Sequence, residues 1–187
     1  MGIFKDRPYE DIGTRQKRWL DYLWYHNDLK QFKVCHEFEH RKYSPRKLIE
    51  ESICPIDHRE ILPFELVVEF DGNFPQINIT KIRTILDILP SVDFTFYVAD
   101  HYGRSPHLHI FSKKNKEAIQ AYLTDPILFD KMDSIKLAGA GLIRCIGGRY
   151  YGANMTYKSW IPSTELTSRI PIRTQKEVKF PCNFEIR

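Results

Sequence analysis

The sequence predicts an α+β fold: a sheet with helices packed on one of its faces, preceded by a helical segment. Three observations carry that expectation. Residues 64–71 (FELVVEFD) form an apolar, β-branched run stopped by Gly72-Asn73. Residues 78–89 then place Ile79, Ile82, Ile85, Leu86 and Leu89 at helical spacing. Two further strand-like runs, 93–99 (DFTFYVA) and 107–111 (HLHIF), flank a polar turn. The order strand, helix, hairpin, helix, strand is that of a sheet covered by helices on one side.

Each element has its own local justification. Residues 14–32 read as a helix, capped by Thr14 and carrying an apolar stripe of Trp19, Leu20, Leu23 and Trp24. Residues 33–63 are mixed, broken at Ser44-Pro45 and Pro55. Asn78 is expected to cap the second helix, and Pro90-Ser91 to end it. A third helix fits 115–124, with Ala118, Ile119, Tyr122 and Leu123 along one side. A connection through Pro126 and Met132-Asp133 leads to an apolar segment, 142–146, closed by Gly147-Gly148. The last forty residues carry strand-like runs interrupted by prolines. Residues 1–60 are therefore expected to be a segment packed on the core, and 61–187 the principal domain.

Composition narrows the class. With 187 residues, 42% hydrophobic and 28% charged, the chain has the profile of a globular protein able to bury one core. A net charge of +4 is compatible with a nucleic-acid partner without requiring one. Basic residues cluster at Arg15, Lys17 and Arg18, at Arg41, Lys42, Arg46 and Lys47, and at Lys113, Lys114 and Lys116. The plainer reading of each cluster is a solvated face. No window reaches the roughly 18 apolar residues of a membrane span. Residues 1–18 lack a signal-peptide pattern, and Asp6 stands where a myristoylation signal needs Ser or Thr. Four dispersed cysteines (Cys35, Cys54, Cys145, Cys182) suit reduced thiols in a cytoplasm.

Three short motifs could carry chemistry. Glu69-Phe70-Asp71 ends the first strand, and residues two apart on a strand share a face. Two carboxylates held so close repel unless a cation neutralises them, and oxygen ligands suit Mg²⁺ or Mn²⁺. His107 and His109 likewise share a face, entered from the turn Gly103-Arg104-Ser105-Pro106. Imidazoles there would bind a metal or donate to a phosphate. Asp133 is a third carboxylate, with Asp130 as a near competitor, while Arg144, Arg149 and Lys158 are candidate phosphate contacts.

In this order the motifs resemble the archaeo-eukaryotic primase superfamily. Glu69-Phe-Asp71 is similar to its acid-x-acid pair, Ser105-Pro-His107 to its Ser-x-His motif, and Met132-Asp133 to its hydrophobe-Asp. Leu142-Ile-Arg144, Gly147-Gly148 and Lys158 resemble its later arginine strand, turn and lysine. The resemblance spans residues 60–160. It departs from the pattern at Glu69, where Asp is usual, and at residues 101–106, which replace a Gly-rich stretch.

That resemblance implies an RRM-like palm sheet and a DNA primase or primase-polymerase. The implied partners are a single-stranded DNA template, nucleoside triphosphates and a larger primase subunit or helicase. Glu69, Asp71 and Asp133 would hold Mg²⁺ or Mn²⁺. Ser105 and His107 would contact the nucleotide, with Arg144 and Lys158 assisting and Arg104 added for its position beside the motif. A non-catalytic accessory subunit of an archaeal primase complex has the same fold and fits the chain's length.

One rival reads the same residues differently. Pro106-His107-Leu108-His109 resembles the His-hydrophobe-His metal motif of rolling-circle initiators, in which both histidines bind one divalent metal. Those enzymes need a nucleophilic tyrosine with lysine three residues on, and Tyr122, Tyr150, Tyr151 and Tyr157 all lack it. A zinc site from Cys35, His40, Cys54 and His58 has loosely finger-like spacing. Chance pairing among four cysteines and seven histidines accounts for that spacing, and zinc is not expected.

Overall fold

The computed structural model of the chain describes residues 16, 32–36, 39–43, 58–70, 75–89, 92–100, 106–124, 137–146, 149–150, 156–157 and 159–161. They are mixed helix and antiparallel sheet and fall into two compact units, divided along the chain after Glu60, before Leu142 and again after Trp160.

In the first unit, β1 (Phe32–His36) pairs antiparallel with β2 (Glu39–Tyr43), with Phe32 opposite Tyr43 and His36 opposite Glu39. Next to β1 lies β3 (His58–Glu60), and beyond it β7 (Leu142–Arg144), giving the order β2-β1-β3-β7. The segment expected to be mixed is thus partly a hairpin. The reason is chemical: β2 reads EHRKY and lies at the sheet edge, where charged residues are favoured because they discourage pairing with other chains. Arg59 and Ile143 face each other and are buried, whereas His58, Leu142 and Arg144 are half-exposed, so the two faces differ in access. The expected helix over 14–32 lies outside the described residues, except for helical Gln16 and for Phe32, which opens β1 instead. Gln16 is buried and its side-chain amide donates to the Ile146 carbonyl at 3.0 Å. Two short strands, β8 (Arg149–Tyr150) and β9 (Thr156–Tyr157), pair as a ribbon, and β10 (Ser159–Ile161) ends the described chain.

The second unit contains β4 (Glu65–Val68), α1 (Pro75–Ile88), β5 (Thr95–Asp100), β6 (His107–Phe111) and α2 (Lys116–Leu123). Strand β6 lies between β5 and β4 and is antiparallel to both. Alternation along the strands separates two faces. Leu66, Val68 and Phe70 join Phe96, Val98, Leu108 and Ile110 in one apolar cluster with Ile82, Ile85, Leu86 and Leu89 of α1 and Ile119 and Leu123 of α2. Each such side chain contributes roughly 1.5–3 kcal/mol when fully buried. The opposite face carries Glu65, Val67, Glu69, Tyr97, His107 and His109.

Helix α1 starts at Pro75, three residues before the expected cap Asn78. Proline suits a first turn because its missing N–H would have no partner there. At the other end the Leu89 N–H still reaches the Ile85 carbonyl at 2.9 Å, and Pro90 follows. Ser112 ties the unit together beyond β6. Its N–H donates to Phe64, its hydroxyl donates to the Asp93 carbonyl at 2.7 Å, and the same oxygen accepts the Asn115 N–H at 3.1 Å. Ahead of β7, Gly139 and Gly141 adopt φ of 77° and 82°, a region that side chains with a Cβ rarely visit. No helix among the described residues is long and apolar enough to cross a membrane.

Candidate active site

Two acid–imidazole pairs lie side by side on the face opposite the helices. The first joins Glu69, one residue past β4, to His107, which opens β6. Glu69 Oε1 and His107 Nε2 are 3.1 Å apart, and the side chains are 25% and 10% exposed. The contact follows from register. Val68 pairs with Leu108, so the next step along β4 stands opposite His107.

The second pair lies one rung deeper. Glu65 Oε1 and His109 Nδ1 are 2.7 Å apart with both side chains at 0% exposure. Glu65 Oε2 also accepts the Leu62 N–H at 2.9 Å, while the Glu65 N–H donates back to the Leu62 carbonyl at 3.0 Å. The two carboxylate oxygens thus serve different partners, Oε1 the His109 ring and Oε2 the Leu62 N–H. Tyr97, opposite His109 in the register, stacks on its ring at a centroid distance of 4.2 Å and an interplanar angle of 10°. Lys116 closes the turn from outside, its ammonium donating to the Pro63 carbonyl at 2.6 Å.

The pairs differ in what they can do. Glu65–His109 is enclosed, and its carboxylate serves the turn at Leu62 as well as the imidazole. Glu69–His107 retains access to solvent, so a ligand can compete for the carboxylate or the imidazole. The ring centroids of the two histidines are 6.2 Å apart and tilted by 40°.

Of the residues singled out from sequence, Glu69, His107 and His109 fall on one face, and the first two are in contact. Arg144 is half-exposed on β7, in the first unit. Asp71, Arg104, Ser105, Asp133 and Lys158 lie outside the described residues, as does Cys54. No group of three or more His, Cys, Asp or Glu side chains is arranged around a common point among the residues whose side chains are described. Sequence reasoning passed over Glu65 and Tyr97. A signal for Glu65 was present, because positions 65, 67, 69 and 71 share one strand face and read Glu, Val, Glu, Asp.

No protein-family model matches the chain, and no curated protein matches it. Among solved structures it is similar to the polymerase domain from Mycobacterium tuberculosis Ligase D in complex with DNA, at 12% identity and a TM-score of 0.48. The similarity covers 74% of this chain and 64% of that one, less than two thirds of its length.

Proposed function

We propose that this chain is a primase-polymerase-like protein that carries out divalent-metal-dependent nucleotidyl transfer on a single-stranded DNA template. The observation that carries the reading is the 3.1 Å contact between Glu69 and His107, two residues from separate motifs that meet across β4 and β6. An acid at a strand end beside an imidazole on the neighbouring strand is the juxtaposition the motif order calls for. The partial exposure of Glu69 supports a site open to a ligand.

Glu69, Asp71 and Asp133 are the residues that would hold the cations, and their oxygen donors fit Mg²⁺ or Mn²⁺ in kind. When bound, two such ions stabilise the attacking and leaving oxygens of an in-line phosphoryl displacement. The chain's own contribution is positioning. Glu69 orients the His107 ring through Nε2, and His107 is set to donate to a nucleotide phosphate once that carboxylate turns to a cation. Ser105, two residues before His107, and Arg104 are assigned to the triphosphate. A larger primase subunit or a helicase is the partner that would deliver template.

His109 weighs against the His-hydrophobe-His reading. Its ring is fully enclosed, held at Nδ1 by Glu65 and covered by Tyr97, an arrangement suited to bracing the sheet. The test is primer synthesis on single-stranded DNA with Mn²⁺, comparing wild type with Asp71→Ala. Template-dependent extension that disappears in the variant supports the reading. Its absence in wild type, or its persistence in Asp71→Ala, refutes it. A covalent protein–DNA adduct in place of extension would favour the rolling-circle chemistry.

A further inference from the structure

The first unit brings together three residues that the sequence leaves apart. In the register of β1 and β2, Cys35 stands opposite His40, and in that of β1 and β3 the same Cys35 stands opposite His58. His40, Cys35 and His58 thus form one straight row across three adjacent strands. Directly opposed residues of antiparallel strands occupy the same face, roughly 4.5–5.5 Å apart at Cβ. The row continues to Arg144, opposite His58 on β7.

We propose that the row His40–Cys35–His58 is a binding site for a thiophilic divalent metal, with zinc as the ion. The donor set selects the metal. One thiolate and two imidazoles match Zn²⁺ or Co²⁺, and they are poor partners for Mg²⁺ or Ca²⁺, which take oxygen. The spacing allows it. The outer two strands of the row are roughly 9.5 Å apart, twice the distance between neighbouring strands, so an ion above Cys35 is within an imidazole's length of either side.

The two faces of β3 and β7 differ in exposure. Arg59 and Ile143 are buried on the opposite side, while His58 and Arg144, in line with the row, are half-exposed. Lys33 and Lys42 oppose each other two residues along the same face. Three protein donors leave the fourth tetrahedral position to water. The linear spacing Cys35-x₄-His40 had suggested nothing beyond chance, and it is the alignment of His58 on the same rung that changes the reading. The inference is independent of the nucleotidyl-transfer assignment, whose acid and histidine, Glu69 and His107, belong to the second unit.

The full chain, stripped with a chelator, is titrated with Co²⁺ and then with Zn²⁺. One equivalent of Co²⁺ is expected to produce a sulfur-to-cobalt charge-transfer band that Zn²⁺ displaces. Cys35→Ser is expected to abolish the band. Loss of an outer partner of a metal ligand already weakens binding by roughly 10–100-fold, so His40→Gln and His58→Gln are each expected to cost more than about 100-fold. Cys145→Ser, which removes a buried thiol elsewhere in the unit, leaves the band unchanged. Should the variants fail to fold, wild type alone decides: Zn²⁺ slows alkylation of Cys35, read by peptide mass spectrometry. A missing band at one equivalent, a band that survives Cys35→Ser, or alkylation of Cys35 at the same rate with and without Zn²⁺ each overturns the proposal.

Discussion

Replacing Glu65 by glutamine separates the two acid–imidazole pairs by what each one holds up. The substitution preserves volume and alters a fully buried carboxylate whose Oε1 contacts His109 Nδ1 and whose Oε2 accepts the Leu62 N–H. A glutamine offers one carbonyl oxygen and one amide NH₂, so it no longer accepts at both positions. Leaving a buried donor unsatisfied costs about 1–3 kcal/mol, and truncating one member of a buried charged pair about 3–5 kcal/mol. Glu65→Gln is therefore expected to lower unfolding free energy by about 2–3 kcal/mol and Glu65→Ala by about 3–5 kcal/mol. Glu69→Gln, at a carboxylate that keeps a quarter of its surface in solvent, is expected to cost no more than about 1 kcal/mol. Activity should run the other way: extension by Glu69→Gln falls to background, whereas Glu65→Gln retains it in the folded fraction. The assay is urea denaturation followed by circular dichroism, with primer extension measured well below the transition. A difference in stability loss between Glu65→Gln and Glu69→Gln smaller than about 0.5 kcal/mol, near the error of such comparisons, would refute the division of labour.

Other outcomes follow from single features of the second unit. Leu108→Ala empties a fully buried position between both helices and the sheet, and denaturation should report a loss of about 3–4 kcal/mol. Ser112→Ala removes a hydroxyl that both donates to Asp93 and accepts from Asn115, at an expected cost of about 1–2 kcal/mol, with earlier amide exchange at the start of α2. Gly139→Ala meets a φ of +77° and is expected to destabilise by about 1 kcal/mol in the same denaturation assay. Chelation should abolish extension, and Mg²⁺ or Mn²⁺, but not Zn²⁺ alone, should restore it.

The second unit was legible in the sequence because its elements announce themselves locally. Its strands are short apolar runs with clear stops, and α1 repeats isoleucine and leucine at helical spacing, so β4, β5, β6 and both helices fall within a few residues of expectation. The start of α1 was misplaced because Asn78 is a good cap in isolation, while Pro75 satisfies the first turn without one. The first unit was harder. Edge strand β2 has four ionisable side chains in five residues, and such a strand looks like a solvated loop until its partner is known. Half of the candidate site was readable for the same local reason: Glu69 and His107 each sit at the end of a recognisable strand. Glu65 was missed because a lone acid inside an apolar run acquires meaning only from the imidazole of His109, diagonal to it on the neighbouring strand.

The histidines make the general point from both directions. His107 and His109 are two residues apart, so a reader of the sequence treats them as one motif, and the two-residue period of a strand does put them on one face. What the period does not encode is depth. His109 is one rung further from the strand end, opposite Tyr97 and beside Glu65, and it is sealed; His107 stands at the opening of β6 and is not. Cys35, His40 and His58 pose the opposite case. Their spacings along the chain look accidental, yet pairing of three strands sets them on a single rung. Cross-strand register is fixed by hydrophobic pattern and turn length over whole hairpins, so it is absent from any short window of sequence. Chemistry that depends on neighbours along a strand can be read early, and chemistry that depends on neighbours across strands appears only once the sheet is assembled.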